Sequence, residues 1–209
     1  MKAKVSGILM ILGPILTMGM WIAFFPDPGS GATVSEELSE LMSNETSFRI
    51  AAVIAAIAGA GMLLGIFLLS RTLNEGDSVG ALCAEIGGLL IILMLPFMLI
   101  LQGHQVRAVE EAIAGRIDVG EGVLVAGIAI DSYLGFLFAG GYFLLGIALI
   151  LQKRFHVVIG SIIVIVSAVA FLDEILYDAP EIIPIVGWMG MFIMTVVMGV
   201  WTVVQKEKK

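Results

Sequence analysis

Long apolar runs alternate with short polar stretches along the whole chain. Six runs are long enough to cross a bilayer, because a spanning helix needs about 20 largely apolar residues at about 1.5 Å of rise per residue. Residues 122–130 are also apolar, so the fourth helix can begin earlier than residue 132. The pattern predicts an all-α, polytopic six-transmembrane-helix bundle that forms a single integral membrane domain over residues 1–209. The predicted helices cover residues 5–25, 50–70, 80–101, 132–151, 155–172 and 182–204.

Basic residues lie almost entirely on one side of this arrangement. With the N-terminus inside, eight of the 11 basic residues are cytoplasmic, and only Arg49, Arg107 and Arg116 fall outside. Because lysine and arginine concentrate in cytoplasmic loops, we expect both termini to be cytoplasmic in a cell membrane. Thirteen of the 18 acidic residues fall in the outer loops, which predicts an acidic outer surface. The first apolar run exceeds the 7–15 residues of a signal-peptide core and is interpreted as a retained helix.

The composition is that of a membrane protein, and it argues against several other classes of protein. The chain is 59% hydrophobic and 14% charged, with a mean hydropathy of +1.07, whereas globular domains are about 45–50% apolar and about 25% charged. Its net charge of −7 argues against a nucleic-acid partner, which needs a basic surface. The single cysteine, Cys83, excludes an intramolecular disulfide and a thiolate metal cage supplied by this chain alone.

Two outer loops contain amphipathic segments. A short helix can follow Thr33, since residues 34–42 mix acidic and apolar positions. Farther along, four aliphatic residues recur at helical spacing, whereas the charged residues between them occupy other faces. This second pattern predicts a possible interfacial helix on the outer membrane surface. The four aliphatic residues are Val106, Val109, Ile113 and Ile117.

Ionisable residues inside membrane helices are costly and therefore candidates for function. Glu85 in the third predicted helix and Asp131 beside the fourth are the two transport candidates. Glu85 can instead be a carboxylate satisfied near the interface, and Asp131 can be a solvated residue or the N-cap before Ser132. Counted along the helices, the two differ in depth by roughly 25 Å, so they cannot share a proton or an ion directly.

Several outer polar residues form a second group of candidates. Carboxylates near a histidine can bind a cation, although a solvated acidic surface explains the same residues. His104 and His156 fall on opposite faces of the membrane and cannot share a metal within one chain. Their spacing matches neither a zinc nor a di-iron signature, so we expect no resident metal and no cofactor. The outer cation candidates are Asp173, Glu174, Asp178, Glu181 and His104.

The 12 methionines raise the question of copper. Met191, Met194 and Met198 follow one face of the last helix, and thioethers do bind Cu(I). Methionine also fills irregular apolar gaps, and this interpretation is favoured here.

Small residues mark the helices expected to pack most closely. Glycine and alanine let helix backbones approach, and this close packing stabilises helix pairs in lipid. We therefore expect the second and fourth helices to be the inner elements, although glycine and alanine are abundant throughout. The packing candidates are Ala52, Ala56, Ala60, Gly61, Gly65, Gly135 and Ala139.

Enzyme signatures are missing from the sequence. No glycine-rich phosphate loop ends in Lys-Ser or Lys-Thr, and no Gly-x-Ser-x-Gly elbow occurs. No acid, base and nucleophile fall at one predicted depth. We therefore expect a protein that is not an enzyme.

Three segments resemble one known family. They are SYLGFLFAGGYFLLGIALILQKRFHVVIGSIIVIVSAVAFL, the ending GMFIMTVVMGVWTVVQK and the string FLLSRTLN. Together they are similar to an uncharacterised prokaryotic family of six-helix membrane proteins, the domain of unknown function numbered four-three-eight-six. This chain has Lys153, Arg154 and Phe155 where that family usually has a proline and an arginine after the fourth helix. The resemblance implies six helices and transfers neither an activity nor a site.

Two functions remain open at this point. The first is a non-enzymatic membrane protein that acts by helix packing with partners, as an accessory subunit or a homo-oligomer in the lipid bilayer. The alternative is a small-solute or cation transporter or channel that uses Glu85 and the acidic outer face.

Overall fold

The structure, a computed structural model, consists of helices joined by short connections in the part of the chain it describes, which confirms the predicted all-α class. It describes residues 2–24, 32–74, 76–153, 155–176, 180 and 182–204, with the side chains of residues 2, 3 and 131–133 excepted. Helix α7 contains a π-helical turn at Ile185–Met189. The helices are α1 (Lys2–Phe24), α2 (Val34–Ser43), α3 (Glu45–Leu73), α4 (Val79–Ile113), α5 (Ile117–Gln152), α6 (Val157–Ile175) and α7 (Ile182–Val204).

All the helices except α2 are long and apolar enough to cross a membrane, which confirms the predicted number of six. The outside of the bundle is correspondingly apolar. Ile22 is 76% exposed and Ile57 is 69% exposed, and many other large aliphatic side chains are exposed as well. Soluble monomers rarely expose a large continuous apolar surface, so this surface is suited to contact with lipid.

The six long helices form a closed ring. Each packs against its neighbour along the chain, and α7 returns to pack against α1. Short connections make α3 and α4 antiparallel, and likewise α5 and α6. One continuous hydrophobic core occupies the middle of the ring and receives side chains from every long helix. Representative core residues are Met10, Leu63, Ile91, Leu145, Ile163 and Met198.

Three reciprocal glycine pairs bring neighbouring helices into close contact. A Cβ atom built on either member of a pair would lie 2.8–3.1 Å from the carbonyl oxygen of the other member. Any side chain at these positions would therefore push the two helices apart. The pairs are Gly7 with Gly199 between α1 and α7, Gly87 with Gly141 between α4 and α5, and Gly146 with Gly160 between α5 and α6.

Helices α3 and α5, the second and fourth predicted spans, are the most buried of the six. Half or more of their most apolar stretch is buried, 50% in α3 and 56% in α5, against 22–33% in the other four. The small residues singled out from the sequence lie in different surroundings. Ala52, Gly65 and Ala139 are buried, Gly135 contacts the side chain of Glu174, and Ala56, Ala60 and Gly61 are half-buried.

Helices α4 and α5 extend well beyond the apolar stretches that predicted them. They contain 35 and 36 residues, which at about 1.5 Å per residue exceeds a hydrocarbon core of about 30 Å. The expected interfacial helix is not a separate element, because α4 runs unbroken to Ile113 and Ile117 begins α5. A tight turn joins the two helices, with Gly115 at a φ of +82°. Val109 is fully buried against other helices and is not presented to a membrane surface.

The short helix α2 begins with a capping box. The Thr33 hydroxyl accepts a hydrogen bond from the backbone N–H of Glu36 at 3.3 Å. In return, the Glu36 carboxylate accepts from the backbone N–H of Thr33 at 2.7 Å. These hydrogen bonds to the charged form hold the pKa of Glu36 below its ordinary value of 4.5.

A second hydrophobic cluster lies where α2 packs against the ends of α3, α4 and α5. We call this region the cap. Its buried members come from all four helices, so none of these segments could bury its apolar side chains alone. They are Leu38, Leu41, Phe48, Ala52, Ala108, Val109, Ala112 and Leu124.

Candidate functional site

Arg49, one turn after the start of α3, links two helices of the cap. Arg49 Nε lies 3.0 Å from Glu45 Oε1 one turn earlier. Its Nη1 donates to Glu110 Oε1 on α4, also at 3.0 Å. Glu110 is in turn 3.4 Å from Arg107 Nη1 on its own helix. The network therefore fixes the start of α3 against the end of α4, in addition to the apolar contacts below it.

Glu111 is the most buried charged side chain of this network. It is 6% exposed, whereas its partners Arg107 and Arg116 are 59% and 56% exposed. Arg107 approaches one carboxylate oxygen from one turn earlier in α4, and Arg116 donates to the other oxygen from the turn before α5. Because removing water from a carboxylate is costly, two cationic partners are what permits its burial. Glu111 thereby connects α4 to the start of α5.

The cap arginines are all engaged in this network, whereas other carboxylates of the cap are not. Within the described residues, Glu37, Glu40, Asp118 and Glu121 have no ion-pair partner. Burial raises the pKa of Glu37 above its ordinary value of 4.5. The cap therefore carries several carboxylates that no lysine or arginine of the described residues pairs with.

A second polar region lies where the end of α6 meets the start of α7. Trp188 Nε1 donates to Asp173 Oδ2 at 3.2 Å. Trp188 belongs to the π-helical turn, a feature that is frequent at functional sites. Its ring stacks on Phe138 of α5, with a centroid distance of 5.9 Å and an interplanar angle of 5°. Glu174, the next acidic residue, contacts Gly135 of α5.

An aromatic series continues from this region into the middle of the bundle. Phe138 contacts Tyr142 at a ring centroid distance of 4.8 Å. The Tyr142 hydroxyl is hydrogen-bonded to the Thr195 hydroxyl of α7, and both residues are fully buried. Thr195 donates its own proton to the carbonyl oxygen of Met191 at 2.7 Å. Tyr142 is therefore the donor of the pair, and both hydroxyl groups are satisfied.

The two transport candidates do not converge on this region. Glu85 is exposed on the surface of α4, among the exposed side chains of Leu82 and Ile86. It therefore lies on the outside of the bundle. Asp131 lies in the interior of α5, which begins at Ile117. The N-cap interpretation of Asp131 is wrong for this reason, and its side chain is outside the described residues.

The outer cation candidates are also dispersed. His104 Nδ1 lies 2.9 Å from the carbonyl oxygen of Ile100, so the imidazole is bonded to its own helix. Asp178 and Glu181 lie outside the described residues. Within the described part of the chain, no three side chains of histidine, cysteine, aspartate or glutamate are grouped as metal ligands would be. The remaining candidates, Asp173 and Glu174, adjoin Trp188 and Gly135 as described above.

Methionine side chains concentrate in the middle of the ring. The three on α7 that suggested copper are buried in the main core together with methionines from α1 and α3. They pack there among leucine, isoleucine and aromatic side chains, as gap-filling residues do. The buried methionines are Met10, Met62, Met191, Met194 and Met198.

No family model matches the chain, and no curated protein or solved structure matches it either. The resemblance to a prokaryotic six-helix family therefore stays a prediction.

The cap is the feature that sequence reasoning missed. The sequence contains two signals for the cap, both of them pairs of opposite charges four residues apart on a helix. The pairs are Glu45 with Arg49 and Arg107 with Glu111.

Proposed function

We propose that the protein is a non-enzymatic integral protein of a cell membrane that acts by binding partner proteins through the cap. Both termini are cytoplasmic in this proposal, and the cap lies on the outer face. The observation that carries it is the cap itself, in which a helix without a spanning role packs into a hydrophobic core of its own. The Glu111 ion pairs connect the ends of α4 and α5 beside this core.

Rigidity is the first argument for a binding role. Segments that only connect membrane helices need neither a buried core nor a buried carboxylate with two arginines. A preorganised surface loses less conformational entropy when it binds a partner, which favours affinity. The capping box of Thr33 and Glu36 and the burial of Leu38 and Leu41 give α2 this character.

Charge is the second argument. The carboxylates of the cap without ion-pair partners, among them Glu37 and Glu40 on α2, favour a partner with a basic surface outside the membrane. A second copy of the chain would meet these carboxylates with its own acidic cap, so the charge argument favours another membrane protein as the partner. Lysine or arginine on the partner would pair with these carboxylates at the interface.

Photo-crosslinking in native membranes tests this proposal. A photoreactive residue replaces Ser39, which is exposed on α2, and the matched control replaces Ile57, which is exposed on the apolar face of α3. We expect a discrete protein adduct from position 39, with twice the 22.2 kDa chain mass if the partner is a second copy. The double variant Glu37→Gln, Glu40→Gln should give a severalfold lower yield of this adduct. Adducts of equal yield at both positions, or none at position 39, would contradict the proposal.

Topology is tested separately by cysteine accessibility. In a Cys83→Ser background, a cysteine at Ser39 should react with a membrane-impermeant maleimide in intact cells. A cysteine at Asp77, in the connection between α3 and α4, should react only after the cells are permeabilised. The reverse pattern would place the cap in the cytoplasm.

The transporter alternative has less support from the geometry. Glu85 would have to reach a solute pathway, and it lies on the exposed surface of α4 instead. If proteoliposomes with Glu85→Gln take up cations at the wild-type rate, Glu85 is not required for transport. A loss of uptake would revive the alternative.

A further inference from the structure

Two oppositely charged side chains lie on the exposed surface of neighbouring membrane helices. They are Arg71 in the last turn of α3 and Glu85 in the second turn of α4. Within the described residues, neither of them takes part in an ion pair. Both lie at the end of the bundle opposite the cap, because the cap contains the start of α3 and the end of α4.

Apolar side chains flank Glu85 on the outer surface of α4. Leu82, one turn before it, and Leu89, one turn after it, are both exposed. Val79, at the start of the helix, is exposed as well. The apolar surface therefore continues past the carboxylate towards both ends of the helix. A charge on a surface suited to lipid is costly unless it has a partner.

Arg71 and Glu85 lie at nearly the same depth in the bundle. A Cβ atom on Gly88 of α4 would lie 2.8 Å from the Cβ atom of Ser70 in α3, so these two residues align the antiparallel helices. Arg71 is one residue after Ser70 and Glu85 is three residues before Gly88, and both steps lead towards the connection between the helices. At about 1.5 Å of rise per residue, the two depths differ by about 3 Å.

The two residues also lie on the same side of the α3–α4 pair. Successive residues of an α-helix are rotated by about 100°, so Arg71 is turned by about 100° and Glu85 by about 60° from the contact of Ser70 with Gly88. Because two right-handed helices run in opposite directions here, these rotations bring both positions to one side. We call the surface formed by Arg71, Leu82, Glu85 and Leu89 the α3–α4 patch.

A patch with both charges at one depth is complementary to itself. A twofold axis perpendicular to the membrane keeps every residue at its own depth. It therefore places Arg71 of each copy opposite Glu85 of the partner subunit, because the two residues share a depth and a side. This reciprocal pairing is the property of a C2 interface, in which the same surface of both subunits is used.

We propose that the α3–α4 patch binds a second copy of the chain, with Arg71 of each copy paired to Glu85 of the partner subunit. Guanidinium and carboxylate groups form strong charge-assisted hydrogen bonds, and the apolar side chains around them reduce the screening by water. The dimer does not depend on the proposed role of the cap, because the patch lies at the opposite end of α3 and α4. Both caps stay available for their own partner.

Charge reversal in separate chains tests the pairing between copies. A chain with Arg71→Glu carries two negative charges on the patch, and a chain with Glu85→Arg carries two positive charges, so each variant should repel its own copies. We expect copurification of two differently tagged chains to fall about tenfold for either variant alone. Coexpression of the two variants should restore most of the wild-type yield, because every pair is again opposite in sign.

This pattern distinguishes pairing between copies from an ion pair within one chain. An ion pair within the chain is lost in both variants, and coexpression cannot restore it. A mixed pair that copurifies no better than either variant alone would therefore overturn the proposal. Wild-type yields from both single variants would do the same.

Tryptophan substitutions test the same surface without a change of charge, in case the reversed charges prevent folding. Leu89→Trp adds bulk to the patch, and the matched control Ile165→Trp adds it to an exposed position of α6, which packs against α5 and α7. Stepwise photobleaching of fluorescent fusions in native membranes counts the copies in each particle. We expect dimers for the wild type and Ile165→Trp, and mainly monomers for Leu89→Trp. A monomeric wild type would overturn the proposal and leave the patch to lipid or another protein, and equal dimer fractions in the two variants would exclude the patch as the interface.

Discussion

Adjacent glycines of α5 allow a direct test of the close helix contacts. A Cβ on Gly141 would lie 2.7 Å from Cγ1 of Ile91 and 3.0 Å from the carbonyl oxygen of Gly87. Carbon atoms normally pack at about 3.5–4.0 Å, and Ile91 is fully buried, so it cannot move aside freely. Overpacking of this kind costs about 1–3 kcal/mol. Both alanine variants gain the same helix propensity, so we expect Gly141→Ala to be less stable than the neighbouring Gly140→Ala by about this amount.

The matched control is the residue next to it. A Cβ on Gly140 would meet only Cδ1 of Leu90, at an ordinary 3.9 Å. Alanine is favoured over glycine inside a helix by roughly 0.5–1 kcal/mol, so Gly140→Ala should be neutral or stabilising. Both variants are unfolded by titration with sodium dodecyl sulfate from mild detergent micelles, and helix content is followed by circular dichroism. Equal stability of Gly140→Ala and Gly141→Ala would refute the contact geometry.

Three further predictions concern the polar groups. Glu111→Gln should expose the cap to limited trypsin digestion, because two arginines lose their buried anionic partner, whereas Glu121→Gln should not. A double-mutant cycle of Tyr142→Phe and Thr195→Val should give a coupling of about 0.5–1.5 kcal/mol in the unfolding free energy, as expected for a buried hydrogen bond; a coupling near zero would contradict it. The lowered pKa of Glu36 stabilises α2 above the unfolded-state value near 4.5, and this contribution is lost as pH falls through the lower folded-state pKa. In Thr33→Ala, the hydroxyl donor is lost, whereas the backbone N–H of residue 33 still donates to the Glu36 carboxylate. The pKa of Glu36 measured by NMR should therefore rise only part of the way towards 4.5, and an unchanged pKa would exclude the Thr33 hydroxyl as a contributor.

The six long helices could be predicted because their signal is local. A spanning helix satisfies its backbone hydrogen bonds within one segment, so length and apolarity are sufficient to identify it. The last helix was predicted as residues 182–204, and α7 covers Ile182–Val204. Its π-helical turn was not predicted, since the close approach of Gly187 to Ala170 becomes visible only when α6 is beside it.

The cap could not be found by the same criterion because its burial is not local. Val109 was expected to face a membrane surface on the basis of its helical spacing alone. Its actual cover is α2, which is separated from it in the chain by the whole of α3. Likewise, Glu85 was named as a transport candidate, beside the alternative of a carboxylate satisfied near the interface, because charge inside a predicted span is costly. The sequence does not show which face of a helix turns outward.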